Sequence, residues 1–347
     1  MSDSEPVRRS FRGQAEFCRR LGSPFTALVC ELLAERLDDR TRFGRQILSW
    51  NGDPVADALP LRAAGGLHAL ARSGQSLPLS AVYPPHGPDR EAVWDGIAAA
   101  MRDHAAFLHD YLDSPPQTNE VKRCGAILGA CLLVAAETRL PLTFLEIGSS
   151  CGLNLAFNRY RYELGDARTW GDPESGVAIR CEWRGEAPPL GASLSLTDRA
   201  GCDPSALDPS SPRDRERLFP YIWPDQAERL ATTKAALDAA AAAPWRVERA
   251  DAGPWIEERL GEDATGRTRV LAHTIVWQYL PQGTKGQVER AVRSAAERAT
   301  AQSPLAWFSM EADGDARGAA LNLTLWPGGE DRFLGRADFH GRWIDWG

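Results

Sequence analysis

The chain has 347 residues, 43% of them hydrophobic and 25% charged, and a net charge of −7. That length exceeds what one hydrophobic core usually supports, so two domains, or one large domain with an appendage, are expected. The acidic balance argues against a phosphate-binding surface of clustered Lys and Arg. No apolar run approaches the roughly 18 residues of a membrane span, and the start has no apolar leader. The expectation is a cytoplasmic protein whose partner is a small-molecule substrate, with no nucleic acid and no membrane.

Residues 8 to about 115 carry helical periodicity throughout. Ser23 and Pro24 read as an N-cap and a first-turn proline, and Phe25, Leu28, Val29, Leu32, Leu33 and Leu37 follow at helical spacing, with an end near Asp38 and Asp39. Residues 58–72 and 90–112 show the same period, separated by a loop over 76–87 rich in proline. The polar, proline-bearing stretch 113–117 is the predicted boundary, and Thr118 is expected to cap a helix reaching about Thr138. The division is thus a helical part over 1–115 and an α/β domain over 116–347, with an insertion near 165–192 that carries Trp170 and Trp183. That insertion and the helical part are expected to form a lid.

Beyond Thr138 short apolar runs alternate with helical stretches. Strands are predicted over 142–147, 193–197, 245–250, 269–276 and 305–310, and helices over 225–243, 254–260 and 287–302. Strands alternating with helices imply right-handed crossovers and a mainly parallel, doubly wound sheet. Residues 319–326 and 332–339, on either side of Pro327, Gly328 and Gly329, read as a terminal antiparallel hairpin. The seven cysteines are odd in number and form no Cys-x-x-Cys pair, so they read as reduced core thiols and no metal site is expected. His104 and His109 are five residues apart, which separates them around a helix.

The strand 142–147 ends in Glu146 and is followed by Gly148, Ser150, Gly152 and Asn154. A glycine turn after the first strand of such a sheet lets backbone approach a ligand, and a following helix start offers free N–H groups. Class I S-adenosylmethionine-dependent methyltransferases carry an acidic residue and then three alternate glycines; Ser150 stands where the middle one is expected. The same residues spell Gly148-Ser149-Ser150-Cys151-Gly152, a Gly-x-Ser-x-Gly nucleophile elbow. In that reading Ser150 attacks an ester, Asp203 or Asp251 orients His273 or His340, and His86 with Gly87 imitates an oxyanion loop. A hydrolase needs several strands before its elbow, whereas the preceding segment reads as helical, which favours the S-adenosylmethionine site. NAD is less favoured, because the Gly-x-Gly-x-x-Gly spacing is absent.

Other residues fall into place around that cofactor. Asp203, with Asp198 as the fallback, follows the second strand and is placed for ribose hydroxyls; Asp251 follows the third and is placed for adenine. Each is equally suited to capping a helix or closing a turn. His273 ends the fourth strand and, with Tyr279, is the candidate on the acceptor side, His273 as a general base.

Several segments together resemble a known family: Phe11-Arg-Gly-Gln-Ala, Gly22-Ser-Pro, Thr118-Asn-Glu-Val-x-Arg123, Glu146-Ile-Gly-Ser-Ser-Cys-Gly-Leu-Asn154, Arg199-Ala-Gly-Cys-Asp-Pro204, Trp223-Pro-Asp, His273-Thr-Ile-Val-Trp277 and His340-Gly-x-Trp. The chain is similar almost end to end to the uncharacterised bacterial proteins of domain of unknown function family 2332. The resemblance implies a Rossmann-like, class I methyltransferase-type fold with a helical N-terminal part, and no particular reaction. Asn119, Glu120 and Arg123 belong to the resembling segments and are expected to face the ligand pocket, or else to form an ordinary helix start. The expected function is methyl transfer from S-adenosylmethionine to a small molecule. Two alternatives stay open, a non-catalytic or regulatory protein on a methyltransferase-like scaffold and a serine hydrolase using Ser150.

Overall fold

A computed structural model of the chain describes residues 4–86 and 89–347. Gly87, half of the pair considered above as an oxyanion loop, lies outside the described residues. The chain divides into two compact units. One comprises the residues up to Thr118 together with Arg213–Ala231, and the other Asn119–Pro212 together with Thr232–Gly347.

The first unit is helical: α1 (Glu5–Arg20), α2 (Pro24–Arg36), α3 (Arg42–Leu48), α4 (Leu59–Arg72), α5 (Leu77–Ser80), α6 (Arg90–Asp103) and α7 (Ala105–Asp113). On α1, Val7, Phe11, Ala15 and Cys18 recur at three- and four-residue steps and are buried, which makes one apolar face. The N-cap read at Ser23 is present, its Oγ accepting the Thr26 N–H. Ser23 in turn donates to Asp225 Oδ1 at 2.5 Å, and the Phe25 N–H donates to Asp225 Oδ2 at 2.8 Å. A residue two hundred positions away thus completes the cap of α2, and Trp223 beside it is buried in the same core. The stretch 90–112, read as one helical period, is two helices broken at His104, whose ψ of 32° leaves the helical range.

The second unit begins with α8 (Cys124–Thr138) and continues with β1 (Leu142–Ile147), β2 (Arg161–Leu164), β3 (Arg168–Trp170), β4 (Ala178–Gly185) and β5 (Leu196–Cys202). After α9 (Pro212–Leu218) and the start of α10 (Ala227–Ala241), which but for Pro212 fall in the first unit, come β6 (Val247–Glu248), α11 (Ala252–Gly261), β7 (Thr268–Thr274), α12 (Gln282–Glu297), β8 (Leu305–Glu311), β9 (Ala319–Trp326), β10 (Glu330–Ala337) and β11 (Trp343–Trp346). The strands lie in the order β3-β2-β4-β11-β10-β9-β8-β7-β1-β5-β6. From β6 to β8 every neighbour is parallel. All six residues of β1 are buried, as an apolar strand central to a parallel sheet requires. The expected hairpin is β9 and β10, antiparallel, with Gly328 and Gly329 at positive φ in its turn.

Three local features bear on the expectations. Thr118 does not cap the helix before β1; Glu120 accepts the Lys122 N–H and opens a single 3-10 turn, and α8 starts at Cys124. The stretch read as an insertion near 165–192 carries β3 and β4, which with β2 extend the sheet beyond β11. Its alternation was in the sequence: Tyr162 and Leu164, then Ile179, Cys181 and Trp183, are buried between half-buried or exposed neighbours. Third, no α-helix follows the glycine turn. Residues Asn154–Arg159 form a 3-10 segment, and the reason is visible in the tyrosines beyond it. Tyr160 Oη donates to the Leu153 carbonyl at 2.6 Å and Tyr162 Oη to the Phe157 carbonyl at 2.7 Å, claiming acceptors that an α-helix would use for itself.

Candidate functional site

The turn after β1 is shaped by close packing. Gly148 has φ of +71°, and a Cβ there would lie 2.5 Å from Val276 Cγ2; at Gly152, φ +74°, a Cβ would lie 2.8 Å from Val247. Both positions therefore demand glycine. Ser150 also adopts a positive φ, +52°, which is uncommon for a residue with a side chain.

The turn's N–H groups, expected to be open to a ligand, are satisfied within the protein. Gly148 and Ser149 donate to the Cys202 carbonyl at 2.9 and 3.1 Å, and Gly152 to the Ser149 carbonyl at 2.7 Å. Ser150 N–H donates to Asp203 Oδ2 at 3.0 Å, and Leu153 N–H to Asn119 Oδ1 at 2.9 Å. Asp203 thus clamps the turn to the end of β5, with its other oxygen accepting the Ser205 N–H at 2.8 Å. Burial pushes its carboxyl up, against the two backbone N–H bonds, which favour the charged form. Asn119 clamps the same turn from the segment before α8.

Glu146 lies beneath, 1% exposed. Its Oε1 accepts the Asn154 amide at 2.8 Å, and Asn154 Oδ1 accepts the Cys124 thiol at 3.2 Å. Its Oε2 is buried without a hydrogen-bond partner among the described residues. Burial pushes the carboxyl up to about 7, opposed by the Asn154 hydrogen bond, by the nearby Ser149 hydroxyl, which donates to the Glu146 backbone carbonyl at 2.9 Å, and by the charge of Arg123, and reinforced by Asp203. Near neutral pH this group is therefore a mixture of acid and anion. Arg123 joins the ends of two chain segments, Nη1 donating to the Thr274 carbonyl at 3.1 Å and Nε to the Phe339 carbonyl at 2.9 Å. Glu120 is held at the 3-10 turn described above. Of the three residues from the start of the unit, Asn119 meets the glycine turn and Arg123 acts on Glu146 through its charge.

Other expected residues are placed elsewhere. Asp198 pairs in register with Thr143, at the opposite end of the strands from the turn. Asp251 caps α11: Oδ1 accepts the Gly253 N–H at 2.9 Å, and Thr284 Oγ1 approaches Oδ2 at 3.2 Å. Tyr279 is 55% exposed in a short 3-10 turn. His273 lies on the other face of the sheet from Glu146. Glu146 registers with Ala272, so the next residue along β7 points to the opposite side. There His273 stacks on Trp277, ring centroids 4.9 Å apart, and its Nδ1 is 2.7 Å from Glu311 Oε1.

Glu311, Cys124 and Val276 are the site residues that the sequence reading missed. Glu311 had one available signal, an acidic residue directly following the run predicted as the fifth strand. Its pairing with His273 depends on the register of β7 against β8, which no local pattern encodes. All seven cysteines are free and buried, as their scatter suggested.

The geometry defines an α/β protein with a buried acidic centre at the carboxyl end of β1, the middle strand of the parallel run from β6 to β8, beside a glycine turn tied down by Asp203 and Asn119. The chain belongs to the bacterial family described as "Uncharacterized protein conserved in bacteria (DUF2332)", which it matches over residues 8–346. No curated protein and no solved structure matches it. No helix among the described residues is long and apolar enough to cross a membrane.

Proposed function

We propose that the second unit binds S-adenosylmethionine and transfers its methyl group to a small molecule, in the manner of class I methyltransferases. The observation that carries this reading is Glu146, a carboxylate at the end of the first parallel strand with one buried oxygen unclaimed by the described residues. The donor set suits that cofactor: Glu146 and Asp203 are acceptors for an ammonium or for hydroxyls, and the sulfonium charge favours an acidic site. Two further features support it. Counted along the chain, the five strands from β6 to β8 lie third-second-first-fourth-fifth, the doubly wound order, in which ligands collect outside the carboxyl ends where the order reverses. Gly148 and Gly152 hold the turn in its tight course beside that point, against Val276 and Val247.

In this reading Glu146 and Asp203 hold the cofactor, and Gly148, Ser150 and Gly152 shape the wall beside it. Asn154 and Asn119 position the carboxylate and the turn. Asp251 caps α11 just beyond the carboxyl end of β6 and is kept as the candidate for the adenine. The bound cofactor supplies an electrophilic methyl group; the protein aligns it and excludes water. Titration calorimetry of the full-length protein tests the assignment. Binding of S-adenosylmethionine and S-adenosylhomocysteine at one site is expected, and no heat from either at millimolar concentration overturns it. Binding without methyl transfer to any acceptor would favour the non-catalytic alternative.

A further inference from the structure

Buried polar atoms are nearly always hydrogen-bonded, and in His273 only one ring nitrogen is. Nδ1 lies 2.7 Å from Glu311 Oε1, and the same oxygen accepts the Val276 N–H at 3.1 Å. Because Oε1 is already an acceptor, Nδ1 carries the proton. In the neutral ring Nε2 is then a lone-pair acceptor. It is buried, in a residue 2% exposed, and finds no partner among the described residues; Glu311 Oε2 is in the same position. The ring stacks on half-buried Trp277, and half-buried Trp307 lies 6.0 Å from it.

The backbone beside this pair is strained. Ile275, a β-branched residue, has φ of +52°, a conformation that persists only where its surroundings enforce it. The bend brings Val276 against Gly148 and aims its N–H at Glu311. The cluster sits at the carboxyl end of β7 next to β1, where the strand order reverses.

We propose that His273 and Glu311 form a proton-accepting site for a neutral, weakly acidic hydroxyl compound with a flat apolar body, of which phenol is the simplest. The hydroxyl donates to Nε2 and the body lies against Trp277 and Trp307. When the O–H bond breaks, its electron pair stays on oxygen and the proton moves to Nε2, leaving an oxyanion and an imidazolium still bonded through Nδ1 to Glu311. Glu311 is a positioning residue, fixing which nitrogen is the acceptor. This site goes beyond the cofactor assignment and stands whether or not the glycine turn holds S-adenosylmethionine.

Side-chain nitrogen NMR of the full-length protein tests it, with the His273 resonances assigned by their loss in His273→Gln and folding checked by circular dichroism. The expected spectrum has a protonated Nδ1 and an unprotonated Nε2. Phenol moves the Nε2 resonance upfield, and anisole, which keeps the ring but has no hydroxyl proton, leaves it in place. In Glu311→Gln, whose amide both donates and accepts, the tautomer preference and the phenol response both shrink. A protonated Nε2, equal responses to phenol and anisole, or no response to either overturns the proposal, the last being the result if only a water pairs with Nε2.

Discussion

Glu146 is held against its own solvation. A carboxyl raised from its usual 4.5 to about 7 binds more protons folded than unfolded between those values. Stability therefore falls as pH rises through that window and levels off above it, by about 3 kcal/mol in total. Glu146→Gln keeps an acceptor for the Asn154 amide and removes the titration. Denaturant midpoints at pH 5 and pH 8 are predicted to converge in the variant relative to wild type, by roughly that amount. Parallel pH profiles for the two proteins would show that the carboxyl is not buried as described. Glu146 itself was legible from an acid followed by spaced glycines. Its partner Asn154 was legible only as a member of a motif, because the amide reaches back eight residues through a turn that no periodicity describes. The acids were least legible. Asp203, Asp198 and Asp251 are alike in sequence, and only register and capping geometry separate a clamp on the turn, a residue at the opposite end of β5, and a helix cap.

The glycine turn and the segment after it show which elements local pattern specifies. Two glycines of positive φ isolate packing from backbone strain: Gly148, where a Cβ would meet Val276 at 2.5 Å, and Gly266, φ +79°, where it would meet nothing within 4 Å. Gly266→Ala is predicted to lower unfolding free energy by about 1 kcal/mol, the cost of the conformation alone. Gly148→Ala adds an overlap and is predicted to lose about 2–4 kcal/mol. Equal losses in chemical denaturation would mean that the turn can move away from Val276. Strands β1, β7 and β8 and the final hairpin followed from apolar runs and turn residues, whereas the strand expected over 193–197 meets β5 only at Leu196 and Thr197. The 3-10 segment did not, because Asn154–Arg159 is diverted from an α-helix by hydroxyls of Tyr160 and Tyr162 further along the chain. Strands β2 to β4 alternate correctly but are short and split by Gly165 and Gly171, both at positive φ, and so read as an insertion.

The whole molecule carries one dependence that no local reading predicts, the return of Arg213–Ala231 to the helical unit. Trp223 fills that unit's core and Asp225 completes the cap of α2. A fragment ending at Thr118 is therefore predicted to lack a cooperative thermal transition by circular dichroism; one matching the intact protein would show that residues 213–231 are dispensable. For the second unit the central claim is that S-adenosylmethionine lies against Glu146 and the turn. Trypsin releases this region as one peptide, residues 140–159, bounded by Arg139 and Arg159. Ultraviolet photolabelling with methyl-labelled S-adenosylmethionine, followed by peptide mapping, is the most direct measurement. Label concentrated in residues 140–159 and displaced by S-adenosylhomocysteine is predicted. Label confined to other peptides, or no displaceable label at all, would contradict the account.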